Sequence, residues 1–345
     1  MRALVFRGPN QLEINEVPVP KVGPGEILLK VAACLICGTD IRIYRGKKTK
    51  GVRVPSILGH EFSGTIAQVG AGVEKFKVGD RVSVAPVIPC HTCYYCQHGR
   101  ENVCANRTAM GYEYDGAFAE YVRIPRAAVE GGNVFLVPDS VSLEAAALAE
   151  PLACCLNGQR QSQVKLGDVV VILGAGPIGL MHLELARAAG ASQVIVSEPH
   201  PQRRAMALQL GASQVVDPGA EDVGEAVRVA TGGLGADAVI LAIGIPALAQ
   251  QALTLVKKGG TVNFFAGFSV GEAAPLDVNR IHYQEITVTG TSAARREDYG
   301  LALSLIAQGV VNAESIITHR FGLSQALEGF AAAEQGLGIK VAILP

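Results

Sequence analysis

Between residues 169 and 190 the chain runs through five apolar residues, the turn Gly174-Ala175-Gly176-Pro177-Ile178-Gly179, and a stretch in which Ile178, Met181, Leu185 and Ala188 recur at helical spacing up to Gly190. The first part predicts a strand buried on both faces, and the last an amphipathic helix. Each glycine between them has its own task. Gly174 permits the tight turn, Gly176 lets the backbone approach a pyrophosphate, and Gly179 allows the helix to pack closely on the strand. The helix N-terminus favours phosphate charge, so Gly174, Gly176, Pro177, Ile178 and Gly179 are expected against a dinucleotide.

A bare Gly-x-Gly-x-x-Gly is common by chance, and its setting makes this one specific. Further strands are predicted at 193–197, 214–216, 238–242, 261–265 and 286–289, alternating with helical stretches. Six strands in that alternation predict a doubly wound parallel sheet. Glu198 follows the second strand, where a carboxylate can accept from both adenosine ribose hydroxyls and repel a 2′-phosphate, which favours NAD over NADP. Arg203 and Arg204 pull the other way, because a guanidinium can pair with such a phosphate. Glu198 as a plain strand-end charge is the alternative. Arg203, Gly267 and Thr291 are further expected cofactor contacts.

The preceding half has another texture. Strands are predicted at 2–7, 26–33, 64–69, 81–85 and 118–124, separated by Gly and Pro turns, with no long helical period before about residue 138. That pattern suits a small barrel or sandwich, and from Ser142 a helix start appears. A chain of 345 residues exceeds the usual single core, so two domains are expected. A formal net charge of −1 and 18% charged residues give no footprint for nucleic acid. Lacking a signal-peptide core or a bilayer-length apolar run, the sequence predicts a soluble cytoplasmic protein.

In such a compartment eight cysteines do not imply disulfides. Cys90, Cys93, Cys96 and Cys104 follow Cys-x2-Cys-x2-Cys-x7-Cys in a polar lobe, about 88–106, that has few apolar residues of its own. Four thiolates on one tetrahedral zinc would hold it together; an iron-sulfur cluster fits less well, since the ferredoxin run has three residues before its last cysteine. Cys34, Cys154 and Cys155 lie among apolar neighbours and are expected to be small buried hydrophobes. His182, His200 and His319 lack clustered partners and are expected to be ordinary helix or surface residues.

Gly59-His60-Glu61-Phe62-Ser63-Gly64 sets an imidazole beside a carboxylate between glycines. Alone, such a pair is more often a hydrogen-bonded surface pair than a metal site. Cys37 upstream and Glu150 downstream supply the partners that a metal would need.

With those residues in view, Gly59-His60-Glu61, Gly64, Gly70, Val73, the cysteine lobe and the dinucleotide turn together resemble the zinc-dependent medium-chain alcohol dehydrogenases. Glu150 before Pro151, where ordinary alcohol dehydrogenases carry cysteine, is similar to the sorbitol and threonine dehydrogenase branch. The resemblance implies a GroES-like β-barrel catalytic domain over 1–150, a Rossmann NAD-binding domain over 151–290, and a return to the catalytic domain over 291–345. It implies a catalytic zinc on Cys37 and His60, with Glu61 and Glu150 sharing the remaining protein position, beside a structural zinc on Cys90, Cys93, Cys96 and Cys104. Thr39 resembles the family's hydroxyl that takes the alcohol proton toward the cofactor ribose, its plain alternative being a helix N-cap. A homodimer or homotetramer paired near residues 286–290 is also implied.

One departure concerns the proton. Where the branch usually carries histidine three residues beyond that hydroxyl, this chain has Arg42, which cannot give up its proton near neutral pH. Proton exit is then left to Glu61, Glu150 or water. The segment from Arg45 to Arg53 holds five cations and no acid. It is either a solvated loop or an attractor for an anionic substrate. The expected reaction is NAD-dependent oxidation of a secondary hydroxyl of a polyol or sugar-derived compound. The alternatives are a hydroxy amino acid substrate of the threonine type and, from another class, a noncatalytic nucleotide-binding sensor or structural protein.

Overall fold

A computed structural model of the chain describes residues 1–269 and 271–345. Met1–Ala153 and Ala293–Pro345 form one compact unit, and Cys154–Ser292 forms another.

In the second unit six strands form one sheet in the spatial order Gln214–Val216, Gln193–Ser197, Val169–Leu173, Ala236–Leu241, Val256–Phe264, Thr287–Gly290. Every pairing is parallel. Numbered along the chain this is the 3-2-1-4-5-6 order of a doubly wound dinucleotide fold. Its centre is Val169–Leu173, where Val170, Val171 and Ile172 have no exposure. The fifth strand starts five residues earlier than the sequence predicts. Lys257-Lys258-Gly259-Gly260 reads as a turn, but Val256 pairs with Ala236 before an irregularity brings Thr261 opposite Ala238.

The first unit carries a seven-stranded sheet. Its path runs Val134–Leu136, Arg81–Val84, Glu61–Val69, Ile27–Leu35, Lys340–Leu344, Ile317–Gly322, and Tyr121–Ile124 pairs with Ile27–Leu35 off that path. A second sheet joins Arg2–Gly8 to Gln11–Glu16 and Ser56–Ile57. Leu4, Ile27, Leu29, Phe62 and Phe118 lie fully buried in the core, and Phe330 packs edge-on against Phe118 at 5.3 Å.

Two strands are longer than their patterns predict. Cys34 and Leu35 extend one, and Glu61 to Ser63 begin the other, since Leu35 pairs with Glu61 and Cys34 with Phe62. A glutamate reads as a poor residue for a buried strand, and its partner is remote in sequence. The strand predicted at 118–124 is shorter. Phe118 instead donates its N–H to Leu58 and accepts from Leu4, which ties the two sheets together.

The helix Gly38–Tyr44 escapes the periodicity, being only seven residues long. Cys37 is its N-cap residue, and Asp40 closes the first turn by accepting from the Cys37 N–H at 2.9 Å. Leu143–Ala147 begins where Ser142 predicts, with the Ser142 hydroxyl accepting from Ala145 at 3.0 Å. Among the described residues no helix is long and apolar enough to cross a membrane.

Cys34 and Cys155 are buried as expected, whereas Cys154 is partly exposed. His182 is no surface residue. It is fully buried in Pro177–Ala188, edge-on to Phe265 at 4.7 Å, and burial pushes its imidazole down to about 3.

Candidate zinc and nucleotide sites

Three neighbouring strands build the first cluster. Leu35 pairs with Glu61 on one side and Ala342 on the other. Cys37 therefore leaves the end of one strand where His60 and Glu61 enter the next, and Lys340 begins the third. Gly59, at φ +94°, makes the approach to His60 possible; a Cβ there would stand 2.6 Å from the Cys34 sulfur and 2.9 Å from the Phe118 ring. Ligand atoms of Cys37, His60 and Glu61 come within 4.8 Å of one another.

The sequence reading missed two partners of this cluster. Asp40, fully buried, has a carboxylate oxygen 3.4 Å from His60 Nδ1. A ligating histidine commonly turns its other nitrogen to a carboxylate, and here that leaves Nε2 for an ion. The signal was an acid three residues past Cys37, within the same helical turn. Lys340, 5% exposed, sets its Nζ 2.8 and 2.6 Å from the two oxygens of Glu61, 279 residues away.

The field of the cluster suits a cation. Burial by itself would lower the His60 imidazole, but Tyr112, Asp40 and Cys37 together hold it well above its ordinary value. Burial likewise opposes charge on Lys340, and Glu61 and Cys37 outweigh it, so its ammonium is raised. A thiol, an imidazole and carboxylates are the donor set that zinc takes in sites with an open position.

Glu150 lies outside the three-residue group. It faces a pocket lined by Pro86, Val87, Arg295 and Tyr299. Burial, with Glu61 adding repulsion, pushes its carboxyl up to about 7, while His60 and Lys340 pull the other way. Thr39 is not the N-cap of its helix, since that place belongs to Cys37. Its hydroxyl oxygen accepts from the Arg42 guanidinium at 3.1 Å.

The second cluster is all sulfur. Cys93 stands 3.6 Å from Cys96 and 3.8 Å from Cys104, and Cys104 stands 3.4 Å from Cys90. A tetrahedron with zinc–sulfur arms of about 2.3 Å has edges of roughly 3.8 Å, so these spacings fit one ion. Backbone N–H groups of Cys90 and Asn106 point at the Cys104 sulfur at 3.3 and 3.4 Å. Hydrogen bonds led by Thr92 bring Cys90 down to about 5, whereas burial and neighbouring thiols push Cys96 up to about 12. Four crowded sulfurs cannot all ionise unaided; a divalent cation removes that conflict.

In the nucleotide-binding candidate, Gly174 has φ +101°, and a Cβ on Gly179 would stand 1.9 Å from the Gly174 carbonyl oxygen. Both positions demand glycine. Gly176 is the N-cap and Pro177 the first residue of the helix, with Ile178 next. Glu198 is more than a strand-end charge: one oxygen accepts from Ala175 at 2.8 Å, the other from His200 at 3.0 Å. Arg204 is committed to Asp217 at 2.9 Å and to the carbonyls of Glu198 and Pro199. Arg203 is half-buried beside it. The Gly267 carbonyl abuts Gly244, and the Thr291 hydroxyl is engaged with Asn263 at 3.1 Å.

With both clusters and the glycine turn described, comparison with known proteins gives the class. The pattern described as the alcohol dehydrogenase GroES-like domain matches residues 23–133, and that described as zinc-binding dehydrogenase matches 177–308. The chain belongs to the zinc-binding alcohol dehydrogenase family, with a GroES-like fold and a Rossmann fold.

Within that family it is 38% identical to L-threonine 3-dehydrogenase of Pyrococcus abyssi over 336 residues, covering 96% of this chain and 94% of that one. It is 36% identical to D-arabitol-phosphate dehydrogenase of Enterococcus avium over 341 residues, covering 97% and 94%. Among solved structures, a zinc-binding dehydrogenase of Sinorhizobium meliloti with NADP bound superposes with a TM-score of 0.94 at 35% identity, covering 100% of this chain and 99% of that one.

Proposed function

We propose that this chain is a zinc-requiring dehydrogenase that oxidises a secondary hydroxyl of a polyol or sugar-derived substrate, with hydride transfer to NAD. The observation that carries the reading is the convergence of Cys37, His60 and Glu61 within 4.8 Å, backed by Asp40 and Lys340. A module that only binds nucleotide has no use for such a donor set. In this reading 1–150 and 291–345 are catalytic and 151–290 bind the nucleotide. Cys37 and His60 hold the catalytic zinc, Glu61 and Glu150 share its remaining protein position, and the four cysteines hold a second, structural ion.

Zinc, when bound, supplies Lewis acidity toward a substrate oxygen. The protein's own groups manage the proton and the geometry. Thr39 Oγ1 takes the alcohol proton, having a second lone pair beside the one that faces Arg42. Arg42 fixes that hydroxyl and carries no proton away. With Glu61 paired to Lys340, the proton passes to Glu150. Glu198, braced on the glycine turn, favours NAD over NADP, and Arg203, Gly267 and Thr291 border the same cofactor.

A hydroxy amino acid is the second reading, supported by the 38% identity to L-threonine 3-dehydrogenase. Self-association through the sheet edge Thr287–Gly290, giving a dimer or tetramer, completes the picture. The test is cofactor reduction with a panel of polyols, polyol phosphates and hydroxy amino acids, each with NAD and NADP. Polyol turnover with NAD supports the reading; turnover of hydroxy amino acids alone overturns its substrate, and turnover of nothing overturns its chemistry.

A further inference from the structure

The five cations of the Arg45 to Arg53 segment have unequal fates. Arg45 forks onto Glu334 at 2.7 and 2.5 Å and reaches Asn10, and Arg53 meets Asp115 at 2.6 Å. Both serve the fold, while Lys47 and Lys50 are exposed. Lys48 differs. It is half-buried, with its ammonium 4.8 Å from the centre of the Tyr112 ring, and that ring lies 5.4 Å from the His60 ring. The backbone fixes this placement: Lys47 and Lys48 both donate to the Arg42 carbonyl, at 2.8 and 3.2 Å, and Arg53 donates to the Tyr112 carbonyl at 3.2 Å.

Charges around Lys48 are unbalanced. Arg107, Arg42 and Lys50 act on it from the positive side and Glu113 from the negative. Burial, then Arg107, hold its ammonium below the ordinary lysine value. Neither Lys48 nor Arg107 forms an ion pair among the described residues. Arg107 donates instead to the Asn102 carbonyl at 2.6 Å. Glu113 is itself engaged by the Ala109 N–H at 2.9 Å. A surplus of positive charge therefore remains beside the candidate zinc cluster.

We infer that Lys48, with Arg107 and Arg42, forms a subsite for the terminal phosphate of a sugar-alcohol phosphate. The inference rests on the polyol reading and narrows it. A phosphate monoester carries about −1.5 to −2 charges at neutral pH, which matches the surplus. A hydroxy amino acid is a zwitterion with no net charge to set against that surplus. The reach also fits. The two ring separations put the ammonium within roughly 10 Å of the imidazole. Six single bonds of an extended polyol span roughly 7–8 Å, and a charge-assisted hydrogen bond of about 2.8 Å between ammonium and phosphate oxygen supplies the rest.

The test compares a pentitol with its terminal phosphate in the wild type and in Lys48→Met and Arg107→Met, by turnover and by thermal shift. In the wild type kcat/KM is expected at least about tenfold higher for the phosphate, through KM, and the preference falls toward one in either variant. The phosphorylated ligand is expected to raise the melting temperature of the wild type more than that of Lys48→Met, a readout independent of turnover. Equal kcat/KM for the two substrates, or a preference and thermal shift unchanged in both variants, would overturn the subsite while leaving the dehydrogenase intact. If nothing reduces the cofactor, the earlier reading fails, and the thermal shift still decides whether the phosphate binds at Lys48.

Discussion

The two metal-binding candidates solve the same problem in opposite ways. Cys90, Cys93, Cys96 and Cys104 come from one short stretch, three of them partly exposed, and the groups that reach their sulfurs, Thr92 and Asn106 among them, come from that stretch too. Cys37, His60 and Glu61 come from the ends of paired strands inside a core, with Asp40 and Lys340 behind them. The first arrangement is closed and uniform, so an ion there can only hold the lobe. The second mixes donor types and keeps charged groups in reserve, which leaves an ion able to exchange partners. In the proposed reading, structural and catalytic use follow from how the ligands are supported.

Loss of one sulfur from the lobe is the strongest way to break the contrast. Cys93→Ser is expected to release one zinc and leave 88–106 unfolded, since an ion worth on the order of 10 kcal/mol to a zinc-finger peptide has no substitute in so small a core. Zinc analysis with hydrogen exchange over the lobe checks this. Next comes Lys340→Met, which strands the buried Glu61 carboxylate and is expected to cost about 3–5 kcal/mol in denaturant unfolding. Adding Glu61→Gln should return most of that loss. If Lys340→Met alone is neutral, the pair does not support the cluster.

Asp40→Asn is expected to weaken zinc at the catalytic cluster by about 10–100-fold and to leave the cysteine lobe untouched, as metal titration can show. A further effect concerns pH. Glu150 has a folded value of about 7, above the unfolded carboxyl, so the folded state holds the extra proton. Its contribution is fully present below the unfolded value and is lost as pH rises through about 7. In zinc-stripped protein, stability is expected to decline over that window, and Glu150→Gln to flatten the decline.

The same contrast shows what could be read from the chain. The cysteine lobe and the glycine turn were legible because their chemistry is set by short spacings, and the six strands because buried β-branched runs alternate with helical periods. His60 and Cys37 were legible as types but not as neighbours. Lys340 was invisible as a partner, because a lysine opening a strand looks solvent-facing until the fold brings it across 279 residues to Glu61. Asp40 lay in plain view, yet the short helix that turns it inward is below the length at which periodicity speaks. Lys48 could not be separated from its cationic neighbours until Glu334 and Asp115 accounted for Arg45 and Arg53.

Zinc content and cofactor reduction measured together in the wild type and in His60→Ala test the account most directly. Two zinc ions per wild-type chain are expected, and His60→Ala should keep one while turnover falls at least about a thousandfold, several kcal/mol of lost activation. A His60→Ala protein that binds both ions and still reduces NAD with a polyol at the wild-type rate would contradict it.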